Sequence, residues 1–219
     1  MKPRANIQIY NEDCLPAMRQ MKDNEFDLAI VDPPYGKKPI RNDSKTFGSP
    51  NTSTFSIKDQ KWDIRPSKEY FKELFRVSKN QIIWGANYFI DFLKPTNSMV
   101  VWDKLTGKNM YADCEIAWTN FSCVIKKFTL QWRGSHCHRE EMIIHPTQKP
   151  IKLYKWLLNH YAKPGDRILD THLGSGSIAI ACWDMGFDLV GYEIDKDYYE
   201  AAMKRFQKHK EQFQLDLAV

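Results

Sequence analysis

Residues 169–181 read LDTHLGSGSIAIA, and their reading decides the fold. A short apolar run closes on an acid, two glycines follow one residue apart, and small apolar residues then continue as a helix. Glycines let a ligand approach the backbone closely, and the helix start offers free N–H groups. The next apolar run, DLVGYEID (188–195), ends near Glu193, 17 residues after Gly176. An acid there can accept hydrogen bonds from two ribose hydroxyls. Loop and acid together describe an adenosine-ribose site in a Rossmann-like sheet. A dinucleotide fits the same loop, since Gly174-x-Gly176-x-x-Ala179 nearly matches its fingerprint. The other strand-like runs precede the loop, however, so a second half of a dinucleotide fold has to come from the N-terminal part, whose chemistry points elsewhere.

Upstream, NIQIY (6–10) and FDLAIVD (26–32) are strand-like and flank a short helix, LPAMRQMKD, which is the spacing of a parallel sheet. Ser67 caps a helix predicted over 68–78, with Tyr70, Phe71, Leu74 and Phe75 at helical spacing. QIIWGANYF reads as a strand and a glycine turn. SMVVWDK, CEIAWTN and VIKKFTL lie so close together that an antiparallel pair is expected among them. PIKLYKWLLNHYA is an amphipathic helix begun at Pro150, and the tail from Lys196 is another. Trp84, Trp102 and Trp118 fall in strands and are read as core. Residues 36–66 are polar and break the rhythm, as long functional inserts do.

A chain of 219 residues with 42 % hydrophobic content suits one α/β domain over residues 1–219. No apolar run approaches the ~20 residues that span a bilayer, and MKPRANIQIY lacks the apolar stretch of a signal peptide. No membrane partner is expected. The five cysteines are scattered and form no CxxC pair, which argues against a disulfide frame or a zinc ribbon. His136, Cys137, His138 and His145 match no standard zinc spacing, so no metal is expected. The expectation is a reduced, cytoplasmic protein. The net charge of +5 permits an anionic partner, and its distribution says more. Lys37, Lys38 and Arg41 form one basic stretch; Lys126, Lys127, Arg133, His136 and Arg139 form a second, interleaved with Phe128 and Trp132. A basic surface with aromatics suits nucleic acid.

Residues 31–37 read VDPPYGK, a strand that stops on an acid, two prolines and a tyrosine. In a doubly wound sheet ligands bind at the carboxyl ends of strands, which puts Asp32 and the Gly174 loop on one edge. The exocyclic nitrogen of adenine or cytosine is a poor nucleophile, because its lone pair is delocalised into the ring. Asp32 can accept one N–H and a backbone carbonyl the other, which aims the lone pair at a methyl sulfonium and stabilises positive charge as it develops. Pro33 and Pro34 stiffen the turn and leave carbonyls free. Tyr35 can stack on a base withdrawn from the duplex.

DPPY, HPTQKP and LGSGS, in that order, resemble the β-group of S-adenosylmethionine-dependent DNA amino-methyltransferases, and the resemblance covers nearly the whole chain. It implies a Rossmann-like methyltransferase fold with a mostly parallel seven-stranded sheet, one antiparallel strand and a circularly permuted motif order. It implies Asp32, Pro33, Pro34 and Tyr35 as the catalytic tip and S-adenosylmethionine as cofactor. Asp13 would contact the adenine ring, Asp170, His172, Gly174, Ser175 and Gly176 would lie near the cofactor, Glu193 on its ribose, Ile194 on its adenine and Lys149 near its carboxylate. The partner implied is double-stranded DNA with a flipped target base, met by insertions at 36–66 and 104–145; monomer and homodimer both stay open. Relatives often carry Asp-Pro-Phe where this chain has Asp170-Thr171-His172, which leaves the contacts of Thr171 and His172 open. Adenine N6 is the expected target. Cytosine N4, a protein glutamine amide, a nicotinamide oxidoreductase and a non-catalytic DNA-binding relative are the alternatives.

Overall fold

The run Phe26–Val31 (β2) is buried at five of six positions, as a strand covered on both faces must be. Alternate residues serve opposite layers. Leu28 and Ile30 join one core cluster with Ile82 and Trp84, whereas Ala29 and Val31 join the other with Ile83. This computed structural model describes residues 5–36, 63–106, 112–132 and 143–216, with side chains to residue 212.

Eight strands form one sheet among these residues: β1 (Ile7–Tyr10), β2, β3 (Ser78–Trp84), β4 (Met99–Asp103), β5 (Cys114–Thr119), β6 (Lys126–Thr129), β7 (Arg167–Asp170) and β8 (Asp188–Tyr192). Their spatial order is β1-β8-β7-β2-β3-β5-β4-β6. Only β5 runs against its neighbours, pairing antiparallel with both β3 and β4. The expected single antiparallel strand is therefore present, and the sheet has eight strands rather than seven. The eighth is β6, which returns parallel to the outer edge of β4.

Helices α1 (Cys14–Gln20) and α2 (Lys68–Val77) cover one face. Helices α3 (Ile151–Tyr161), α4 (Ser177–Met185) and α5 (Lys196–Asp216) cover the other. Ser67 caps α2 by accepting the Tyr70 N–H at 3.3 Å. Helix α4 is apolar on every side, with Ile178, Ala179, Ile180, Ala181 and Cys182 all buried, which makes it the central helix of its layer. It ends at Gly186 (φ 80°), where the N–H groups of Gly186 and Phe187 both donate to the Cys182 carbonyl.

Strands β2 and β7 lie side by side and parallel, with Leu28 opposite Ile168. From β7 the chain leaves through α4 on one face to reach β8. From β2 it returns through α2 on the other face to reach β3. The order thus reverses between β7 and β2, and a crevice opens beyond their carboxyl ends.

Candidate active site

That crevice is a cleft of about 420 Å³. It is lined by Asp32, Pro33, Pro34 and Tyr35 from the end of β2, by His172, Gly174 and Ser175 from the loop after β7, by Glu193 and Ile194 from the end of β8, and by Lys149. Ten of the residues singled out from sequence therefore meet in one place. Three do not line it. Gly176 and Asp170 lie beneath the loop. Asp13 sits at the start of α1, where its carboxylate accepts the Leu15 N–H at 2.9 Å.

The glycine loop holds an acid ready for a diol. The Gly174 N–H donates to Glu193 Oε2 at 2.8 Å, and the Asp195 N–H donates to Oε1 at 2.9 Å. A carboxylate has about four acceptor positions, so each oxygen retains one. Asn11 pins the backbone beneath by donating to the Glu193 carbonyl at 2.8 Å. Burial raises the Glu193 pKa, against the backbone N–H groups of Asp195, Gly174 and Ile194 that lower it. Gly176 needs to be glycine: its φ is 71°, and a Cβ would stand 3.3 Å from that of Ala202. Ile194 is 61 % exposed, an apolar edge beside the acid. His145 closes the loop from above. It takes the Thr147 N–H at 3.3 Å on Nδ1 and meets Tyr198 edge-on at 4.3 Å. Burial, and then the Lys149 charge, push its pKa down to about 4.

Across the cleft, Tyr35 Oη donates to Asp32 Oδ1 at 2.8 Å. The Tyr35 ring lies parallel to Tyr88, with centroids 4.6 Å apart, so one of its faces is already covered. Gly85 makes this stack fit. Its φ is 71°, and a Cβ there would fall 2.2 Å from Tyr35 Cε1. Lys149 is buried. Its ammonium is ion-paired with Asp32 and stands 3.2 Å from Glu115 Oε2. Glu115, at the start of β5, is also paired with Lys104. Tryptophans back both lysines, with Lys149 Nζ 5.3 Å from the Trp84 ring centre and Lys104 Nζ 5.0 Å from that of Trp102. The result is a row of alternating charge, Lys104–Glu115–Lys149–Asp32, buried at Lys149 and half-buried at the other three. Burial works against ionisation of Glu115, but Lys149 and then Lys104 outweigh it and hold the carboxyl at about 2. Burial likewise opposes the Lys149 charge, and Asp32 and then Glu115 outweigh it, raising the pKa. Neither Lys104 nor Glu115 stood out in the sequence. The only signal was one acid inside an apolar strand, CEIAWT.

Beneath the loop, burial lifts the Asp170 carboxyl to about 8, over the opposing hydrogen bond from the His172 N–H. Of the expected DNA-contacting residues, Lys126 and Lys127 are exposed on β6. Lys37, Lys38, Arg41, Arg133, His136 and Arg139 lie outside the described residues, as do most of 36–66 and part of 104–145. The aromatics of the second basic stretch belong to the core: Trp132 is buried against Trp102, and Phe128 packs on Trp156. Trp84, Trp102 and Trp118 are buried as expected. Among the described residues no helix is long and apolar enough to cross a membrane.

Three comparisons bear on this arrangement. Residues 108–204 match the DNA methylase family. The type II methyltransferase M.HpaI of Haemophilus parainfluenzae is 26 % identical over 238 residues, covering 88 % of this chain and 72 % of its own. The structure of M1.HpyAVI superposes with a TM-score of 0.56 at 21 % identity, over 91 % of this chain and 99 % of that one. The PvuII cytosine-N4-specific DNA methyltransferase superposes with a TM-score of 0.61 at 12 % identity, over 95 % and 91 %. A sheet in this order, with an acid-held glycine loop facing an acid–proline–proline–tyrosine tip, is the Rossmann-like methyltransferase fold. More narrowly, the chain is similar to N6/N4-type DNA methyltransferases, over residues 108–204 in the family model and over most of its length in the type II enzymes.

Proposed function

We propose that this protein transfers a methyl group from S-adenosylmethionine to N6 of adenine in double-stranded DNA, acting on a base flipped into the cleft. The observation that carries the reading is the meeting of Asp32 and Glu193 across a single crevice at the switch point. The match of residues 108–204 to the DNA methylase family supports DNA as substrate, and the M1.HpyAVI structure, solved as a complex with S-adenosylmethionine, supports the cofactor.

The residues present suit that cofactor. Glu193 keeps free acceptor positions for a ribose diol, the Gly174–Gly176 turn lets a ligand lie against backbone, and Ile194 offers an apolar edge for adenine. The cleft falls within the ~300–1,000 Å³ usual for small-molecule sites. When bound, the cofactor supplies a methyl group on a positively charged sulfur. Asp32 does the rest of the electrostatic work. Its carboxylate, fixed by the Tyr35 hydroxyl and by Lys149, accepts an N–H of the target amine and draws the nitrogen toward tetrahedral geometry. Pro33 and Pro34 donate no N–H, so carbonyls at the turn stay available for the second N–H. The exposed Lys126 and Lys127 and the insertions at 36–66 and 104–145 would meet the DNA backbone.

The Asp–Pro–Pro–Tyr form of the tip favours adenine N6. Cytosine N4 is the second reading, because the PvuII enzyme, cytosine-N4-specific by name, shares the fold. Incubation with labelled S-adenosylmethionine and unmethylated DNA, followed by nucleoside analysis, separates the two. N6-methyladenine is expected, and Asp32→Ala should abolish it while changing cofactor affinity by less than about threefold, since Asp32 acts on the amine. Full activity in Asp32→Ala would eliminate the acceptor role.

A further inference from the structure

Two hydrogen bonds tie three buried or half-buried side chains into a chain that ends in the cleft. Tyr70 Oη, from α2, lies 2.6 Å from Thr171 Oγ1, and Thr171 Oγ1 lies 2.9 Å from His172 Nδ1. The Tyr70 ring also meets the His172 ring at 5.3 Å and 68°. His172 lines the cleft, and no described residue bonds its Nε2.

Proton positions follow from counting donors. Suppose His172 donated through Nδ1–H to Thr171, and Thr171 in turn to Tyr70. The Tyr70 hydroxyl would then be a donor with no acceptor in the core. Suppose instead that His172 and Tyr70 both donated to Thr171. The Thr171 hydroxyl would then have none. Only the direction Tyr70 to Thr171 to His172 lets every hydroxyl donate. It makes Nδ1 the acceptor and leaves the ring proton on Nε2.

We propose that Tyr70 and Thr171 lock His172 in its Nε2–H tautomer, so that this N–H donates to an acceptor oxygen of the cofactor bound in the cleft. The inference rests on the methyl-transfer reading for the identity of the ligand; the relay itself does not. Burial holds the His172 pKa at about 3, so the ring is a neutral donor throughout the physiological range. A neutral donor suits this place. Among the described residues the cleft is lined by the acids Asp32, Asp63, Glu115 and Glu193, and Lys149 is engaged with two of them. Thr171 and His172 thus divide the work between them, since the first orients and the second binds.

The test begins with the wild-type chain. Nuclear magnetic resonance of protein carrying ¹⁵N-labelled histidine should show the Nε2–H tautomer for His172 before any ligand is added. Saturation with S-adenosylhomocysteine should move the Nε2 signal. Thr171→Val, close in shape but without the hydroxyl, should give a mixture of tautomers and weaken S-adenosylhomocysteine binding in calorimetry by roughly 2- to 10-fold, the worth of a neutral hydrogen bond. An Nδ1–H tautomer in the wild type overturns the relay. A saturated protein with an unmoved Nε2 signal overturns the donor role and leaves the methyl-transfer reading intact. Failure of the wild type to bind S-adenosylhomocysteine or S-adenosylmethionine at all overturns that reading, and with it the ligand named here.

Discussion

Replacing Lys149 by methionine removes the buried middle cation from the row Lys104–Glu115–Lys149–Asp32 while keeping its volume. Two cations facing two carboxylates become one facing two. At an effective dielectric of ~20, unit charges 3.2 Å apart, the Lys149–Glu115 distance, attract by about 5 kcal/mol. The contact with Asp32 contributes on the same scale. Desolvating the ammonium offsets much of this in the intact protein, but after the substitution both half-buried carboxylates remain and the compensation is gone. Breaking such a pair from one side costs about 3–5 kcal/mol, a large part of the ~5–15 kcal/mol that holds a domain together. Urea denaturation gives the number directly, from the shift in midpoint at unchanged slope. Charge balance can also be restored from the other side. Asp32→Asn in the Lys149→Met background removes one of the two carboxylates, so the double variant should be more stable than Lys149→Met alone by about 1–3 kcal/mol, the coupling range of contacting residues. A single variant within about 1 kcal/mol of wild type, or a double variant weaker than the single, would refute the account; the first figure is the lower end of what a buried charge should cost.

Gly85→Ala forces a side chain onto a left-handed backbone, at about 1–2 kcal/mol, and against the Tyr35 ring. Melting should drop and methyl transfer should fall further than cofactor affinity; a variant equal to wild type in both would show that Tyr35 has room. Glu193→Ala removes the acceptor for a ribose diol and for the Gly174 and Asp195 N–H groups, so cofactor binding measured by calorimetry should weaken at least about tenfold, one charged hydrogen bond. Unchanged affinity would place the ribose elsewhere. Stability should peak near pH 6.5 as far as three buried groups decide it. Below that, the unfolded chain takes protons on His145 and His172 that the folded chain refuses down to about 4 and about 3, while the folded chain keeps one on Asp170 up to about 8. Two protons against one leaves a net loss on acidification of about 1.4 kcal/mol per pH unit. Above pH 6.5 only Asp170 differs. The folded state then holds the extra proton, and stability declines toward the carboxyl's folded pKa of about 8. Asp170→Asn should remove the alkaline decline, and urea midpoints at about pH 5, 6.5 and 8 check both limbs.

The elements that carry the site were legible because their signals are local. A glycine pair after an apolar run needs no knowledge of distant residues, nor does an acid before two prolines. The Asp32–Lys149 pair was not legible, because it spans 117 positions of chain and forms only when β2 and the segment before α3 converge on one edge. Lysine in HPTQKP looked like a ligand for a carboxylate; the carboxylates it meets are the protein's own. Trp132 and Phe128 misled for a related reason. Amid basic residues an aromatic resembles a stacking platform, yet both turn inward on the sheet's outer flank. Strand number differed by one because seven was what the resemblance implied, whereas VIKKFTL, already strand-like in the sequence, pairs as the eighth strand β6.

The reversed direction of β5 has a consequence for how such a protein can change. A strand running with its neighbours delivers its last residues to the ligand edge; β5 delivers its first, which is why Glu115 arrives there on rigid sheet rather than on a loop. The chain between β4 and β5 leaves and re-enters the sheet at the same edge, where the Lys104 N–H donates to the Asp113 carbonyl at 3.0 Å and forms a neck. Chain can be added beyond that neck without shifting the acid below it. The length of that connection and the charge balance are thereby separable in evolution, one free to vary beyond the neck while the other stays locked in the sheet.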